Sequence, residues 1–354
     1  MKHLAFAAAL IVSTSALAQT IGVNYTNGNR VSAAQQASDL AHMAAGGVRL
    51  IRVPWEKWNG SYQGSINVAV TAARYGIYTH YVVALSNNPD YYPPGTQKRP
   101  ADPNNSSIYA AYPLSQLSPS LLASTLPYGI QSAAAAGALI ESVEIGNEIN
   151  NPAFNGDFPI QGALGGVTLG LSDLLNDDIP ESQTIAAGFT GYVAALAALQ
   201  QTGLMFVPVM SAGLNTPGDT SVVHFKLPTT EDMALLNDTL TYLRQQGLDA
   251  YVQAYGVHSY QWGTAAQILR QLSQVTMTQC GTGHPCAVTE WGWQMGSAGA
   301  CSSPNQAANA ANWLTESAKF AVVETDWFDW NSPTWGIYQC GALTNTGVEV
   351  LSVP

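Results

Sequence analysis

Ile21-Gly22-Val23-Asn24-Tyr25 leads into the helix-like stretch Ala33–Ala45, and then into Gly46-Gly47-Val48-Arg49-Leu50-Ile51-Arg52-Val53-Pro54. An apolar run, a stretch with helical periodicity, a glycine pair and a second apolar run make one strand–helix–strand unit. Near-continuous apolar strands of this kind belong to a parallel sheet covered by helices. The alternation continues to the end of the chain. Further strands are expected at Thr79–Leu85, Ser142–Gly146, Met205–Met210, Tyr251–His258, Ala287–Glu290 and Val323–Trp330. Helices are expected at Ile66–Arg74, Pro119–Ala136, Gln183–Gln201, Glu231–Gln246, Ala265–Val275 and Asn305–Ala318. Gly76, Gly137, Gly203 and Gly247 follow several of these, as helix C-terminal punctuation does. Eight strands favour closure into a (β/α)8 TIM barrel over an open doubly wound sheet. No Gly-x-Gly-x-x-Gly turn follows the first strand, which counts against a dinucleotide-binding fold. Only 24 residues follow Trp330, so a regular last helix is expected to be missing.

The 354 residues divide into a leader and one domain. Lys2 and His3 precede the apolar run Leu4–Val12, and Ala16 and Ala18 give the small-x-small pattern before a cut at Gln19. Residues 1–18 read as a secretory signal peptide, leaving 19–354 as a single barrel domain of a secreted or periplasmic protein. No membrane insertion is expected of the mature chain. Only 10% of residues are charged, against ~25% in an average soluble protein. With 12 basic residues against 23 acidic ones and a net charge of −11, no phosphate-gripping patch can be assembled, so nucleic acid is not the partner. A monomer is expected.

Cys280, Cys286, Cys301 and Cys340 lie in the last quarter, and an even count in an oxidising compartment suggests two disulfides. Three connectivities are possible. Nearest pairing, Cys280–Cys286 and Cys301–Cys340, is preferred. The spacing Cys280-x5-Cys286, even with His284 between, fits no common zinc site.

The segments after the third, fourth and fifth strands (Ser86–Ser118, Asn150–Glu181 and Ser211–Thr230) are long, whereas the turns after helices are short. In a barrel the long segments gather on the C-terminal face, where active sites sit. Two carboxylates end strands there: Glu148 in Val143-Glu144-Ile145-Gly146-Asn147-Glu148, and Glu290 in Ala287-Val288-Thr289-Glu290. Desolvating a carboxylate is costly, so a strand ending in one places it at a solvated or functional rim. Strands four and seven face one another across a barrel mouth. Two convergent carboxylates are what glycosidic cleavage needs, one protonated to assist the leaving oxygen and one ionised. The plainer reading is two acids stabilising helix N-termini. His258 and Tyr260 share one face at the end of the sixth strand, and Trp327-Phe328-Asp329-Trp330 ends the eighth with aromatics able to stack on a sugar.

These motifs together resemble the retaining β-glycosidases of glycoside hydrolase clan A, families 5 and 39 nearest. The resemblance runs from Gly46–Trp55 through Asn147-Glu148, His258-x-Tyr260 and Thr289-Glu290-Trp291-Gly292 to Trp330. It implies Glu148 as acid/base, Glu290 as nucleophile, and Arg52, Asn147, His258, Tyr260 and Trp330 as substrate-binding residues. No cofactor and no metal would be needed. The third strand departs from the pattern, ending Leu85-Ser86-Asn87-Asn88 without a histidine. A β-linked glycan is the implied substrate, with endo-β-glucanase activity first and mannanase, xylanase and β-glucuronidase-type activities behind it. Tyr91, Tyr92, Tyr109, Tyr112, Phe154, Phe158, Trp262, Trp291 and Trp293 are candidates to line its groove, and Lys98-Arg99 is a candidate contact for a uronic acid. A transglycosylase shares every motif. A catalytically silent carbohydrate-binding barrel would normally lack one of the two carboxylates, and a metal-dependent hydrolase would need clustered His and Asp ligands.

Overall fold

The computed structural model describes residues 19–160, 168–176, 180–203, 205–215, 233–234, 236–260, 279–281, 283–295 and 299–352. Eight parallel strands close into a barrel: β1 (Thr20–Asn24), β2 (Leu50–Trp55), β3 (Tyr78–Val83), β4 (Ile140–Asn147), β5 (Val209–Asn215), β6 (Tyr255–Tyr260), β7 (Cys286–Gly292) and β8 (Val322–Trp327). Each strand pairs with its neighbours in the chain, and β1 closes on β8 with Thr20 opposite Glu324 and Val23 opposite Trp327. The molecule is a (β/α)8 barrel, as the strand–helix alternation predicts.

The described helices are α1 (Ala33–Ala45), α2 (Gln63–Arg74), α3 (Pro119–Ala135), α4 (Leu171–Asn176), α5 (Pro180–Gln201), α6 (Leu236–Gln245), α7 (Pro304–Ser317) and α8 (Asn345–Leu351). Local chemistry sets several of their starts. Ser32, Ser118, Ser303 and Thr344 each accept a hydrogen bond from a backbone N–H three residues on. That satisfies a donor the helix cannot, and Pro119 and Pro304 begin their helices where a missing N–H is harmless.

Four expectations need correction. The fifth strand begins at Val209, not Met205, because Pro208 cannot donate to the ladder; it then runs on through Gly213 to Asn215. The sixth starts at Tyr255, since Leu248–Ala250 is a 3-10 turn ending at Tyr251. Met233–Ala234, read as helical, instead pairs in parallel with Thr168–Leu169, so α6 starts at Leu236. The last helix is present but short, seven residues capped by Thr344. The expected helix Ala265–Val275, Trp262 and the leader 1–18 lie outside the described residues.

Most of the apolar core lies between the strands and the helices. Leu40 and Met43 of α1, Val68 and Ala72 of α2, Leu126 and Ile130 of α3 and Tyr192 and Leu196 of α5 are buried there with Ile51, Val53, Val143 and Ile145. Trp291 of β7 stacks on Trp313 of α7 at 4.0 Å. Inside the barrel the composition changes. Met210, Ala254 and Ala287 make a small apolar cluster with Val323, whereas Arg52, His80, Glu144, Glu324 and Asp326 are all buried charged or titratable groups. Both disulfides follow nearest pairing: Cys280–Cys286 braces the start of β7, and Cys301–Cys340 ties the segment before α7 to the turn between Tyr338–Gln339 and Ala342–Leu343.

Candidate active site

The C-terminal mouth of the barrel holds a cleft of about 640 Å³. Arg52, Asn147, Glu148, Tyr260, Glu290 and Phe328 line it from the strand ends. Its walls come from the loops after β1 (Thr26, Asn27, Arg30), β2 (Glu56) and β3 (Ser86, Asn87), with Tyr109 and Phe154 from the long segments.

Strict alternation along β4 would turn Asn147 and Glu148 to opposite faces. Gly146 at φ +97° and Glu148 at φ +43° take the chain off that alternation, and both side chains reach the cleft. A left-handed glutamate is strained by ~1–3 kcal/mol. It is held by its own N–H, which donates to the Gly213 carbonyl at 2.8 Å. Asn151 and Asn215 donate to Glu148 Oε2 at 2.7 and 3.2 Å, and His258 Nδ1 lies 2.8 Å from Oε1. That leaves Glu148 only 6% exposed.

Glu290, 8% exposed, sits opposite. Arg52 Nη1 donates to its Oε1 at 2.5 Å, and the Tyr260 hydroxyl donates to its Oε2. His258 Nδ1 lies 3.6 Å from that same Oε2. One carboxylate oxygen of Glu148 and one of Glu290 are within 4.8 Å of each other. Burial opposes charge on His258, yet Glu290 and Glu148 outweigh it and raise its pKa. Burial and the carboxylate of Glu290 push the Tyr260 phenol well above its ordinary range, so it remains a donor.

All five guanidinium N–H groups of Arg52 are used. Nε and Nη2 donate to Glu144 at 2.8 and 3.1 Å, Nη1 to Asn24 at 2.8 Å and to Glu290, and Nη2 to Asn147 at 2.8 Å. Glu144 and Asn24 are partners of Arg52 that the sequence did not single out. An acid and an amide inside otherwise apolar strands were the available signal. His80 and the acid pair Glu324 and Asp326 were missed in the same way.

The structure brings together Arg52, Asn147, Glu148, His258, Tyr260 and Glu290. It does not bring Trp330 to them. Trp330 is fully buried, stacked on Tyr338 at 4.9 Å, with its backbone N–H donating to the Asn24 carbonyl and its backbone carbonyl accepting from the Tyr338 N–H. That tether turns it away from the mouth, and Phe328, two residues earlier, lines the cleft instead. Of the other aromatics, Tyr109 and Phe154 line the cleft, whereas Tyr91, Tyr92, Phe158, Trp291 and Trp293 are buried. Tyr112 stacks on Tyr92 at 4.6 Å. Lys98 donates to Asn87 at 3.2 Å beside the Tyr112 ring, and Arg99 clamps the carbonyls of Tyr109 and Pro152.

Among the described residues two groups bring three possible metal ligands together, Glu148–His258–Glu290 and His80–Glu324–Asp326. In each a histidine already contacts a carboxylate at hydrogen-bond distance, 2.8 Å in the first and 2.5 Å in the second.

No family model matches this sequence, and no curated protein matches it. Solved structures do. An endo-1,4-β-D-mannanase from Thermotoga petrophila RKU-1 superposes with a TM-score of 0.53 at 11% identity, over 94% of this chain and 98% of that one. An endo-1,4-β-mannanase from Rhizomucor miehei gives 0.54 at 10%, over 95% and 93%. The catalytic domain of a β-amylase from Paenibacillus polymyxa gives 0.57 at 9%, over 88% and 92%. At these identities the likeness establishes the barrel fold along nearly the whole chain, and chemistry has to be argued from the site.

Proposed function

We propose that this protein is a secreted retaining β-glycoside hydrolase in which Glu290 is the nucleophile and Glu148 the acid/base. The observation that carries this reading is that one carboxylate oxygen of Glu148 and one of Glu290 lie within 4.8 Å of each other in the cleft. Retaining enzymes hold this pair ~5–5.5 Å apart, whereas inverting ones need ~6.5–9.5 Å to admit a water.

Each neighbour has a place in that chemistry. Arg52 and Tyr260 bind the two oxygens of Glu290 and aim its carboxylate at the anomeric carbon. As the new carbon–oxygen bond forms, the bond to the leaving group breaks, and Glu148 gives its proton to the departing oxygen. His258, contacting Glu148 at 2.8 Å, fixes the direction of that transfer. In the second step Glu148 takes a proton from water, whose oxygen attacks the anomeric carbon and releases Glu290. Asn147, on Arg52 Nη2, is positioned for a sugar hydroxyl, and Phe328 supplies the apolar face.

The open cleft supports a β-linked polysaccharide cut internally; β-glucan is the first candidate, and two mannanases among the structural neighbours make mannan the next. The leader and the two disulfides support secretion. The test is sugar release from β-glucans, mannan, xylan and glucuronoxylan by wild type, Glu290→Gln and Glu148→Gln. Cleavage of one polysaccharide with retained anomeric configuration, and a loss of at least ~100-fold in both variants, is the expected result. Products longer than the starting oligosaccharide would make it a transglycosylase. Silence on every glycan with binding retained would make it a carbohydrate-binding barrel and end this reading.

A further inference from the structure

Beneath Glu290 a string of ion pairs runs down the inside of the barrel. Arg52 joins Glu290 to Glu144, which is fully buried and also accepts from the Gly213 N–H at 2.7 Å. His80 stands on the far side of Glu144. Its Nε2 is 3.3 Å from Glu144 Oε2, and its Nδ1 is 2.5 Å from Glu324 Oε1 and 3.8 Å from Asp326 Oδ2.

Carboxylates therefore face His80 on both ring nitrogens. A neutral imidazole has one N–H, so its other nitrogen would turn a lone pair on a buried carboxylate; only the imidazolium suits both sides. The surrounding groups agree with that geometry. Burial works against the charge, but Glu324 and Glu144 overcome it and lift the His80 pKa to about 10. Burial and Glu324 push Asp326 well above the carboxylate range. The half-buried Glu141, at the start of β4, is raised for the same reasons. Arg52 on β2, Glu141 and Glu144 on β4, and Glu324 and Asp326 on β8 are thus the charged and titratable groups around His80.

Resting on the glycosidase reading above, we propose that His80 is a positioning residue for that reaction. As an imidazolium it neutralises the inner side of Glu144, so that Arg52 is shared between Glu144 and Glu290 and is not drawn wholly onto Glu144. With a neutral side chain at this position, Glu144 would compete harder for the guanidinium, and the carboxylate of Glu290 would lose part of its counter-charge.

The test uses His80→Gln and, in case that variant folds poorly, His80→Gln/Glu324→Gln, which replaces the buried pair with neutral groups. In 15N-labelled wild type, both His80 ring nitrogens should stay protonated from pH 5 to 8. In either variant the acid limb of kcat/KM should move up by ~1 pH unit, kcat at pH 5 should fall ~10-fold, and KM should stay within ~2-fold. The Arg52 guanidinium resonances should move in the variants too, whatever glycan is or is not cut. A His80 that titrates between pH 6 and 7 overturns the proposal. So do folded variants with an unmoved acid limb and unmoved Arg52 resonances, or activity lost equally at every pH. If wild type cleaves no glycan, the glycosidase reading fails and the catalytic role of His80 falls with it. The His80 and Arg52 spectra then still say separately whether the charged string exists.

Discussion

Gly213→Ala puts the architecture of the mouth under its sharpest test. Gly213 is in the middle of β5 with ordinary negative-φ backbone, since it is absent from the left-handed positions. Alanine there carries no conformational penalty, and the effect is purely steric. A Cβ would stand 2.2 Å from His258 Nε2, 2.6 Å from its Cδ2 and 2.7 Å from Glu144 Oε1. Ordinary contact begins near 3.4 Å, so the imidazole must retreat by roughly 1 Å or β5 must shift by as much. The strand is pinned, because the Gly213 N–H donates to Glu144 at 2.7 Å and its carbonyl accepts from the Glu148 N–H at 2.8 Å. The ring therefore yields, and its Nδ1, now 2.8 Å from Glu148, leaves hydrogen-bonding range, which ends near ~3.5 Å. Overpacking of this kind costs ~1–3 kcal/mol of stability, and a displacement of ~1 Å beside the reacting carboxylate costs ~100-fold in activity. Urea denaturation reads the first, and kcat/KM on the glycan cleaved by wild type reads the second. Gly213→Ala/His258→Ala supplies the control: without the ring the two shortest contacts are gone and only Glu144 Oε1 at 2.7 Å remains, so the two stability changes should be non-additive by ~1–2 kcal/mol. An alanine variant as stable and active as wild type, or strict additivity in the cycle, would refute the steric account.

Four other substitutions separate roles that the sequence alone runs together. Asp157, buried and bonded to the Ser115 N–H and hydroxyl, is pushed from 3.8 up to about 6 by desolvation. The folded state thus holds this proton more tightly than the unfolded chain, and its contribution is complete below pH 3.8 and lost as pH rises through about 6. Asp157→Asn should therefore stabilise by about 1–3 kcal/mol above pH 6 and be neutral near pH 3.5, in denaturation curves at the two pH values. Phe328→Ala should raise KM ~10-fold with little loss of stability, whereas Trp330→Ala should cost ~3–5 kcal/mol in stability; the reverse pattern would restore Trp330 as the sugar platform. Arg52→Lys keeps the charge but offers three donors where five are used, so kcat should fall at least ~100-fold with the fold intact by circular dichroism.

The architecture was legible because its signal is repeated. Apolar runs and helical stretches alternate along the chain, and an error at one element, such as starting β5 at Met205 instead of Val209, leaves the count and the closure untouched. The convergence of Glu148 and Glu290 was legible for a related reason: each ends an apolar strand, and strand ends converge in a barrel. The misplaced residue, Trp330, shows where such reasoning stops. Strand periodicity carries the chain to Trp327, but beyond it the side-chain direction depends on tethers to Asn24 and Tyr338, partners remote in sequence. Asn151 and Asn215 were hidden likewise, since only the fold brings a loop amide and the amide that ends β5 onto one oxygen of Glu148.

The largest gap concerns what fills the barrel. Near-continuous apolar strands suggest a hydrocarbon interior, yet Arg52, His80, Glu144, Glu324 and Asp326 are all inside and almost wholly out of solvent. Such groups are a poor source of stability, because well-packed apolar residues of the same volume serve as well or better. Stability is instead carried by the layer between strands and helices, where Trp291, Trp313 and the leucines of α1, α3 and α5 are packed. That division frees the interior to hold charge. A guanidinium placed next to the proposed nucleophile needs a counter-charge that cannot wander, and Glu144 supplies one from the strand that leads into Glu148. Glu144 in turn needs a cation on its other side, and β3 provides His80. The three ionisable residues that look misplaced in strands β2, β3 and β4 are thus one device, and Glu290, the proposed nucleophile, is the end of it that lines the cleft.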